Sequence, residues 1–508
     1  MPRIIRIIAA VLFFTLITLL LLDFTGALHG WLGWMAKIQF LPAVLALNLA
    51  VVIALVLLTF LFGRVYCSVI CPLGVFQDIV SWISSRRKGK KNRFGFKPEK
   101  KWLRYGVLIL FVVLMVAGLN AVAILIAPYS AWGRIATQLL APLYGWGNNL
   151  LAAISAHFGS YAFYPTDVYI KSLPVFIVAV ATLIVVVILA WRGGRTWCNT
   201  ICPVGTMLGL ISRFSIFRPT IDTNKCINCA LCGKRCKASC IDTKNHAIDY
   251  SRCVMCFDCI ENCHSGAIRY RLRHFRPERK AETPGQAGHD GKGIDEKNGK
   301  DGGRRAFIAG AALVATAATL EAKQKKLAEG AAGLQGKTVP PRTVVPVPAG
   351  SISRKHFYQH CTACQLCVSK CPNGVLRPST RLETMMQPEM HFDEGFCRID
   401  CNRCSQVCPT GAIRPVDSAA DKSAIQIGHA VVIPENCVAV RDGVHCGNCA
   451  RHCPTGAITM VQSPDHPKTR IPAVNAEQCI GCGSCEFHCP ARPVSAIYIE
   501  GHEVHKER

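Results

Sequence analysis

Cys361-Thr-Ala-Cys364-Gln-Leu-Cys367-Val-Ser-Lys-Cys371-Pro372 sets three cysteines at three-residue steps, a fourth four residues on, and a proline behind it. The same C-x2-C-x2-C-x3-C run recurs as Cys226/Cys229/Cys232/Cys236, Cys253/Cys256/Cys259/Cys263 and Cys479/Cys482/Cys485/Cys489. Two further groups keep the ending and lengthen the start: Cys397/Cys401/Cys404/Cys408 and Cys437/Cys446/Cys449/Cys453. Six groups of four account for 24 of the 29 cysteines. Cys67/Cys71 and Cys198/Cys202 form two C-x3-C-P motifs, and Cys240 is left over.

Three closely spaced thiolates and one from a distance make the ligand set of a [4Fe–4S] cube, and in two-cluster ferredoxins the distant one comes from the other group. A disulfide framework suits a small secreted chain but has no use for this tight, repeated triplet. Zinc sites use paired C-x2-C units and four ligands in total, which leaves the third cysteine without a role. No C-x2-C-H occurs, so haem c attachment is excluded. His264, His360, His445, His452 and His488 stand beside cysteines and read as surface residues or hydrogen bonders to the ligands. The tail Cys-Pro-x-Gly-Ala-Ile at Cys408–Ile413 and Cys453–Ile458 resembles bacterial ferredoxins. That resemblance implies that Cys226, Cys229 and Cys232 join Cys263, while Cys253, Cys256 and Cys259 join Cys236. For the last four groups two schemes stay open: neighbouring groups pair, or the first pairs with the fourth and the second with the third.

Half of the chain is apolar and its mean hydropathy is +0.26. Four stretches, Ile4–Leu22, Phe40–Phe62, Val107–Ala127 and Leu173–Trp191, approach the ~20 residues that span a bilayer core. Residues 63–104 carry eleven Lys/Arg, residues 128–172 only Arg134 and Lys171, and residues 23–39 only Lys37. The positive-inside rule then puts the N-terminus, residues 63–104 and the chain after Trp191 in the cytoplasm. This absorbs much of the formal +26, and no nucleic-acid recognition motif accompanies the charge. Tyr129, Trp132, Tyr144, Trp146, Tyr161, Tyr164 and Tyr169 in the outer loop predict interfacial helices, with a quinol-contacting surface as the sharper reading. Asn48 and Asn120 inside the spans predict interhelical hydrogen bonds, or, more sharply, a quinone contact.

An internal repeat is visible in this half. Gly63-Arg-Val-Tyr-Cys67-Ser-Val-Ile-Cys71-Pro-Leu-Gly74 matches Gly194-Arg-Thr-Trp-Cys198-Asn-Thr-Ile-Cys202-Pro-Val-Gly205. Two helical hairpins related by a pseudo-twofold would bring Cys67, Cys71, Cys198 and Cys202 together. These four are candidate metal ligands; disulfide cycling and a place beside a quinol pocket are equal alternatives.

Residues 275–303 are polar, Gly- and Lys-rich, and read as a flexible linker. Gly303-Arg-Arg-Ala-Phe-Ile and the apolar run to Leu320 resemble a twin-arginine export signal over residues 304–322. Clusters are inserted into folded protein, and the twin-arginine translocase moves folded protein. Uncut, this segment is a fifth anchor. Residues 323–350 read as a Lys- and Pro-rich tether. The relaxed P-loop pattern at Ala331–Thr338 lacks the preceding strand and following helix that such a loop needs.

Four spans, two C-x3-C-P motifs and a dicluster ferredoxin resemble NapH of periplasmic nitrate reduction, and MauN. A twin-arginine signal followed by four cluster motifs resembles NapG and MauM. The chain looks like the two fused, roughly residues 1–275 and 300–508. The resemblance implies an electron-transfer component of a quinol dehydrogenase, passing electrons from quinol to a periplasmic cytochrome c or reductase. One departure is Lys237, which follows Cys236 where proline is usual, with Cys240 close behind. It leaves the fourth ligand open between Cys236 and Cys240.

The expected architecture is a membrane α-helical bundle of four spans (five with the export segment) plus α+β bacterial ferredoxin-like [4Fe–4S] domains. Residues 1–217 form the membrane domain, 218–274 a cytoplasmic dicluster ferredoxin and 351–508 a periplasmic four-cluster domain. The expectation is six [4Fe–4S] clusters in a protein of the bacterial inner membrane, in contact with lipid and quinol. The alternative is a metal-handling or assembly polyferredoxin whose C-x3-C-P thiols reduce or deliver copper or iron.

Overall fold

In a computed structural model of the chain, the described residues are 2–23, 28–87, 94–158, 172–273, 337–463 and 469–508, with 163, 165 and 168. The linker, the twin-arginine segment and most of the tether lie outside them. The first half is built from α1 (Pro2–Leu22), α2 (Leu49–Phe62), α3 (Val65–Val69), α4 (Pro72–Arg87), α5 (Lys101–Val116), α6 (Pro128–Ile135), α7 (Ala141–His157), α8 (Leu173–Gly193), α9 (Thr196–Thr200) and α10 (Pro203–Ser212), with shorter turns between them.

Among the described residues, α1 and α8 are the two helices long and apolar enough to cross a membrane. At 1.5 Å per residue each is about 30 Å long. The second and third apolar stretches are broken, where unbroken spans were expected. Phe40–Leu45 is separated from α2 by a turn with Leu47 at φ 51°, and Asn48 caps α2 by accepting from Val51 N at 3.3 Å. After α5 the chain turns through Gly118 at φ 78° and resumes as Asn120–Ala123. An asparagine offers an oxygen to the free N–H groups of a helix start, so Asn48 marks an end, where an interhelical bond was expected. Asn120 instead donates to the carbonyls of Tyr358 and Gln359, in the C-terminal half. Around this body Ile4, Ile8 and Leu12 on α1, Ile53 and Leu57 on α2, and Ile109 and Val113 on α5 are exposed. An apolar surface of that extent marks a lipid or partner face.

The outer loop also departs from expectation. All eight residues of α6 are buried, so Tyr129 and Trp132 lie inside the body, away from any interface. Trp132 packs between Phe14 of α1 and Phe76 of α4, with ring centroids at 4.8 and 5.2 Å. Tyr144 and Trp146 on α7 remain exposed.

Two small α+β modules follow. In the first, β1 (Phe217–Ile221), β2 (Ile241–Asp242), β3 (Ala247–Ile248) and β4 (Ile268–Leu272) form antiparallel pairs, with Phe217 opposite Leu272 and Ile241 opposite Ile248. In the second, β5 (Leu376–Pro378) pairs β6 (Pro388–Met390), β7 (Ile425–Val432) pairs β10 (Ile497–Glu507), and β8 (Ile458–Gln462) pairs β9 (Arg470–Val474). Residues 337–350, expected as tether, belong to this second module. Pro346, Val347, Pro348 and Ala349 are buried, Thr338 N bonds Pro493 O, and Pro346 O accepts from Met390 N. Proline cannot donate to a ladder but fits an extended edge, so a Pro-rich segment packs here without losing a hydrogen bond.

The modules dock at opposite ends of the helical body. Arg3, at the start of α1, bonds Asp258 at 2.8 Å and also Glu261 in the first module. Asp23, just past the end of α1, holds Lys370 of the second module at 2.7 Å, both side chains buried. Asp78 of α4 ties the lower end together, meeting Arg6 at 3.0 Å, Arg195 at 2.8 Å and Lys237 at 3.4 Å. Burial alone would raise the Asp78 carboxyl, but Arg195, Lys237 and Arg6 hold it below the usual carboxylate range. Its contribution is therefore complete above the ordinary value of about 4 and is lost only as pH falls through the depressed native value.

Removing one partner of a buried ion network strands the others, at about 3–5 kcal/mol. Asp78→Asn is expected to lower the melting temperature of detergent-solubilised protein at pH 7 and to loosen residues 217–273 to protease; an unchanged melting curve would show that the network is incidental.

Candidate iron–sulfur centres

The C-x2-C-x2-C loops share a backbone device. The residues flanking the middle cysteine adopt positive φ: Asn228 and Ala230 around Cys229, Met255 and Phe257 around Cys256, Ala363 and Gln365 around Cys364, Gly481 and Gly483 around Cys482. Left-handed residues of this kind cost energy and gather at functional sites; alternating with ordinary ones they aim successive N–H groups into a concavity, an anion-binding nest. Ala363 N donates to Cys361 Sγ at 3.4 Å, and Ala496 N to Cys489 Sγ at 3.3 Å. The third cysteine of each group rides a one-turn helix, such as Leu366–Lys370 for Cys367 and Ser484–His488 for Cys485. In both cases the fourth cysteine ends that helix, where the following proline forbids another turn.

Space, not sequence order, groups the thiols. Cys226, Cys229, Cys232 and Cys263 line one cavity. Cys253, Cys256 and Cys259 line another with Cys236 and Cys240. In the second module Cys397, Cys401 and Cys404 share a cavity with Cys371, and Cys361, Cys364 and Cys367 gather with Cys408. Cys479 and Cys482 neighbour Cys453, while Cys446 and Cys449 lie with Cys437 and Cys489. Neighbouring groups therefore exchange their fourth cysteine, and the first-with-fourth scheme is set aside. Each set offers the three-plus-one thiols that a [4Fe–4S] cube takes. Among the described residues no three Cys, His, Asp or Glu side chains are placed to hold a single metal ion.

The departure at Lys237 has a structural reason. Arg195 N donates to Lys237 O at 2.8 Å, and Asn199 Nδ2 to Ala238 O at 3.2 Å. The segment after Cys236 is thus the surface that seats the first module on the second C-x3-C-P motif. Proline at 237 would lack the lysine ammonium that reaches Asp78 and Asp258. Cys240 Sγ lies 3.5 Å from Cys236 Sγ, too close for each to hold its own corner of one cube. Cys236 also receives backbone N–H groups from Ala238, Ser239 and Cys240, as a metal-bound thiolate does.

The C-x3-C-P pairs meet as the repeat predicts. Cys67, Cys71, Cys198 and Cys202 are all buried and are electrostatic neighbours of one another. Each motif's arginine crosses to the other: Arg64 Nη2 donates to Cys198 O at 3.2 Å, and Arg195 Nη1 to Cys67 O at 2.7 Å. A Cβ on Gly74 would come within 2.6 Å of Arg195 Nη1, and one on Gly205 within 2.8 Å of Arg64 Nη2. Glycine in both copies leaves room for the crossing guanidinium. Sequence reasoning missed this clamp, although the paired Gly-Arg and Cys-Pro-x-Gly positions of the repeat carried its signal.

Known families match these segments. A 4Fe-4S binding domain (Fer4_5) matches residues 44–91 and 174–221, and a 4Fe-4S dicluster domain (Fer4_7) matches residues 360–412 and 444–492. The ferredoxin-type protein MauN of Paracoccus denitrificans is 25% identical over 175 residues, 34% of this chain and 48% of the relative. The putative electron transport protein YccM of Escherichia coli is 23% identical over 223 residues, 42% of this chain and 54% of the relative. The ferredoxin-type protein NapH of Haemophilus influenzae is 28% identical over 203 residues, 39% of this chain and 55% of the relative. The chain thus spans about half the length of these relatives. No solved structure matches. These matches and the thiol sets mark a chain that carries 4Fe-4S ferredoxin-type domains. Within that class it is a relative of the NapH/MauN-type polyferredoxins.

Cys236→Ser is expected to remove about four iron atoms per chain, one cube, whereas Cys240→Ser keeps the iron and alters only the EPR line shape of one centre. Loss of iron from Cys240→Ser alone would reverse the assignment.

Proposed function

We propose that the chain carries electrons from quinol to a periplasmic reductase of nitrate reductase type, or to its cytochrome c, as a NapH/MauN-type membrane half joined to a NapG/MauM-type exported half. The six thiol sets hold six [4Fe–4S] clusters, two in the module at residues 217–273 and four in the module at residues 337–508. The first module faces the cytoplasm and the second the periplasm, across the inner membrane. The observation that carries this reading is the docking of the two modules at opposite ends of α1, about 30 Å apart, the thickness of a bilayer core. The described parts of the Lys/Arg-rich stretch, residues 63–87 and 94–104, lie at the first module's end, where Phe94 N bonds Lys234 O and Arg252 bonds Lys97 O, as the positive-inside rule asks.

A cube in each set supplies one-electron chemistry whose potential follows hydrogen bonding, burial and exposure. The chain's own residues set those terms. Backbone N–H groups in the loops stabilise charge on sulfur. Arg134, fully buried, donates among the described residues to the carbonyls of Ile124 and Leu125 and lies beside Cys364. A buried cation without a carboxylate favours the more negative, reduced state of the set next to it, so Arg134 draws electrons towards the second module. Lys370 and Asp23 fix that module against the helical body while keeping their charges paired.

Anaerobic protein mixed with a reduced short-chain quinol analogue is expected to develop EPR signals of reduced clusters within turnover time; clusters that stay oxidised while copper binds tightly would favour the metal-handling alternative. A phosphatase reporter fused after Arg508 is expected to be active only when exported, and a reporter active solely in the cytoplasm would refute the sidedness.

A further inference from the structure

The 4Fe-4S binding family matches two segments, yet each contains only two cysteines: Cys67 and Cys71 in residues 44–91, Cys198 and Cys202 in residues 174–221. Neither can cage a cube alone, which takes four thiolates. The crossed arginines bring the two half-sites into one set of four. We propose that Cys67, Cys71, Cys198 and Cys202 together hold one further iron–sulfur cluster, shared between the repeats and standing between the two ferredoxin modules. The proposal deepens the electron-transfer reading and rests on it.

Charge supports a thiolate-bound, net anionic occupant. Arg64 is fully buried, and its partners are Asn199 Oδ1, the carbonyls of Ser251 and Cys198, and Cys67 Sγ at 3.7 Å. None is a carboxylate, and among the described residues Arg64 Nε has no hydrogen-bond partner. An isolated buried cation is costly. Arg195 has Asp78, but Asp78 also serves Arg6 and Lys237. The shell around the four thiols therefore carries surplus positive charge. Donors also converge on the sulfurs: Gln77 Nε2 reaches Cys198 Sγ at 3.2 Å and Gly205 N reaches Cys202 Sγ at 3.3 Å. Helices α4 and α10 begin just after Cys71 and Cys202, so two positive helix ends face the set.

Position supplies the role. Below, Arg195 and Asn199 of the second motif bond the Lys237–Ala238 segment beside Cys236. Above, Tyr66 neighbours Cys71, and Tyr129 lies against both Tyr66 and the Cys364/Cys408 set. A Cβ on Gly133 of α6 would come within 2.5 Å of Cys364 O, so the helix touches the second module's loop. One electron leaves a reduced cluster of the first module, reduces the shared centre by one, and passes to an oxidised cluster of the second. No bond forms or breaks.

Iron and acid-labile sulfide are measured in anaerobically purified full-length protein and in the double variant Cys71→Ser/Cys202→Ser. About 28 of each per chain, falling to about 24 in the variant, is expected for seven cubes against six. About 24 in both, or loss of one zinc or copper in place of four irons, overturns the proposal while leaving the ferredoxin reading intact. Iron far below 24 in the unaltered protein, without sulfide, overturns both. Gln77→Leu tests the site without removing a thiol: iron stays constant and one centre's midpoint potential moves negative, because an N–H donor to sulfur is lost. A redox titration identical to that of the unaltered protein contradicts the assignment.

Discussion

One largely buried carboxylate ties together the lower end of this molecule. Asp78 meets a guanidinium from α1, a guanidinium from the second C-x3-C-P motif and an ammonium from the first ferredoxin module. Three chain segments that are far apart in sequence converge on two oxygen atoms. Without that convergence Arg195, one of the two crossed arginines, loses its carboxylate anchor, and Lys237 of the ferredoxin loop loses one of its two carboxylate partners. Cations are placed so that each is close to a carboxylate or to a thiol, and the thiols carry what the carboxylates do not.

The same logic recurs at the other end in a drier form. Lys370 and Asp23 are both buried where the second module meets the end of α1, and Gly133 lets α6 approach the Cys364 loop backbone to backbone. The helical body is therefore a frame with a polar socket at each end, and its exposed outer surface is apolar. The thiol-lined loops hold strained positive-φ residues at matching positions, which persist only where the surrounding structure over-determines them.

Much of this was legible in the residues. The cysteine spacing picked out the triplets that the structure gathers, and the repeat around Cys67 and Cys198 foretold that two pairs would meet. Hydropathy located the apolar segments but treated Phe40–Phe62 and Val107–Ala127 as unbroken, because a window average hides one asparagine or glycine where a helix stops. Aromatic content placed Tyr129 and Trp132 at an interface, since composition does not reveal that α6 turns inward to touch the second module. The Pro-rich residues 337–350 read as tether because proline is common in linkers, and their burial depends on a partner surface more than a hundred residues away. The choice between Cys236 and Cys240 and the pairing of the last four groups depend on three-dimensional neighbours that spacing cannot supply.

The central claim is that these sulfurs are corners of multi-iron cages that exchange single electrons. Mössbauer spectroscopy of isotopically enriched, anaerobically isolated protein tests it most directly. The account predicts that nearly all the iron appears as the diamagnetic, valence-delocalised doublet of oxidised cubes and shifts to paramagnetic components on one-electron reduction. Iron present mainly as isolated high-spin ferrous or ferric ions in thiolate sites would contradict it.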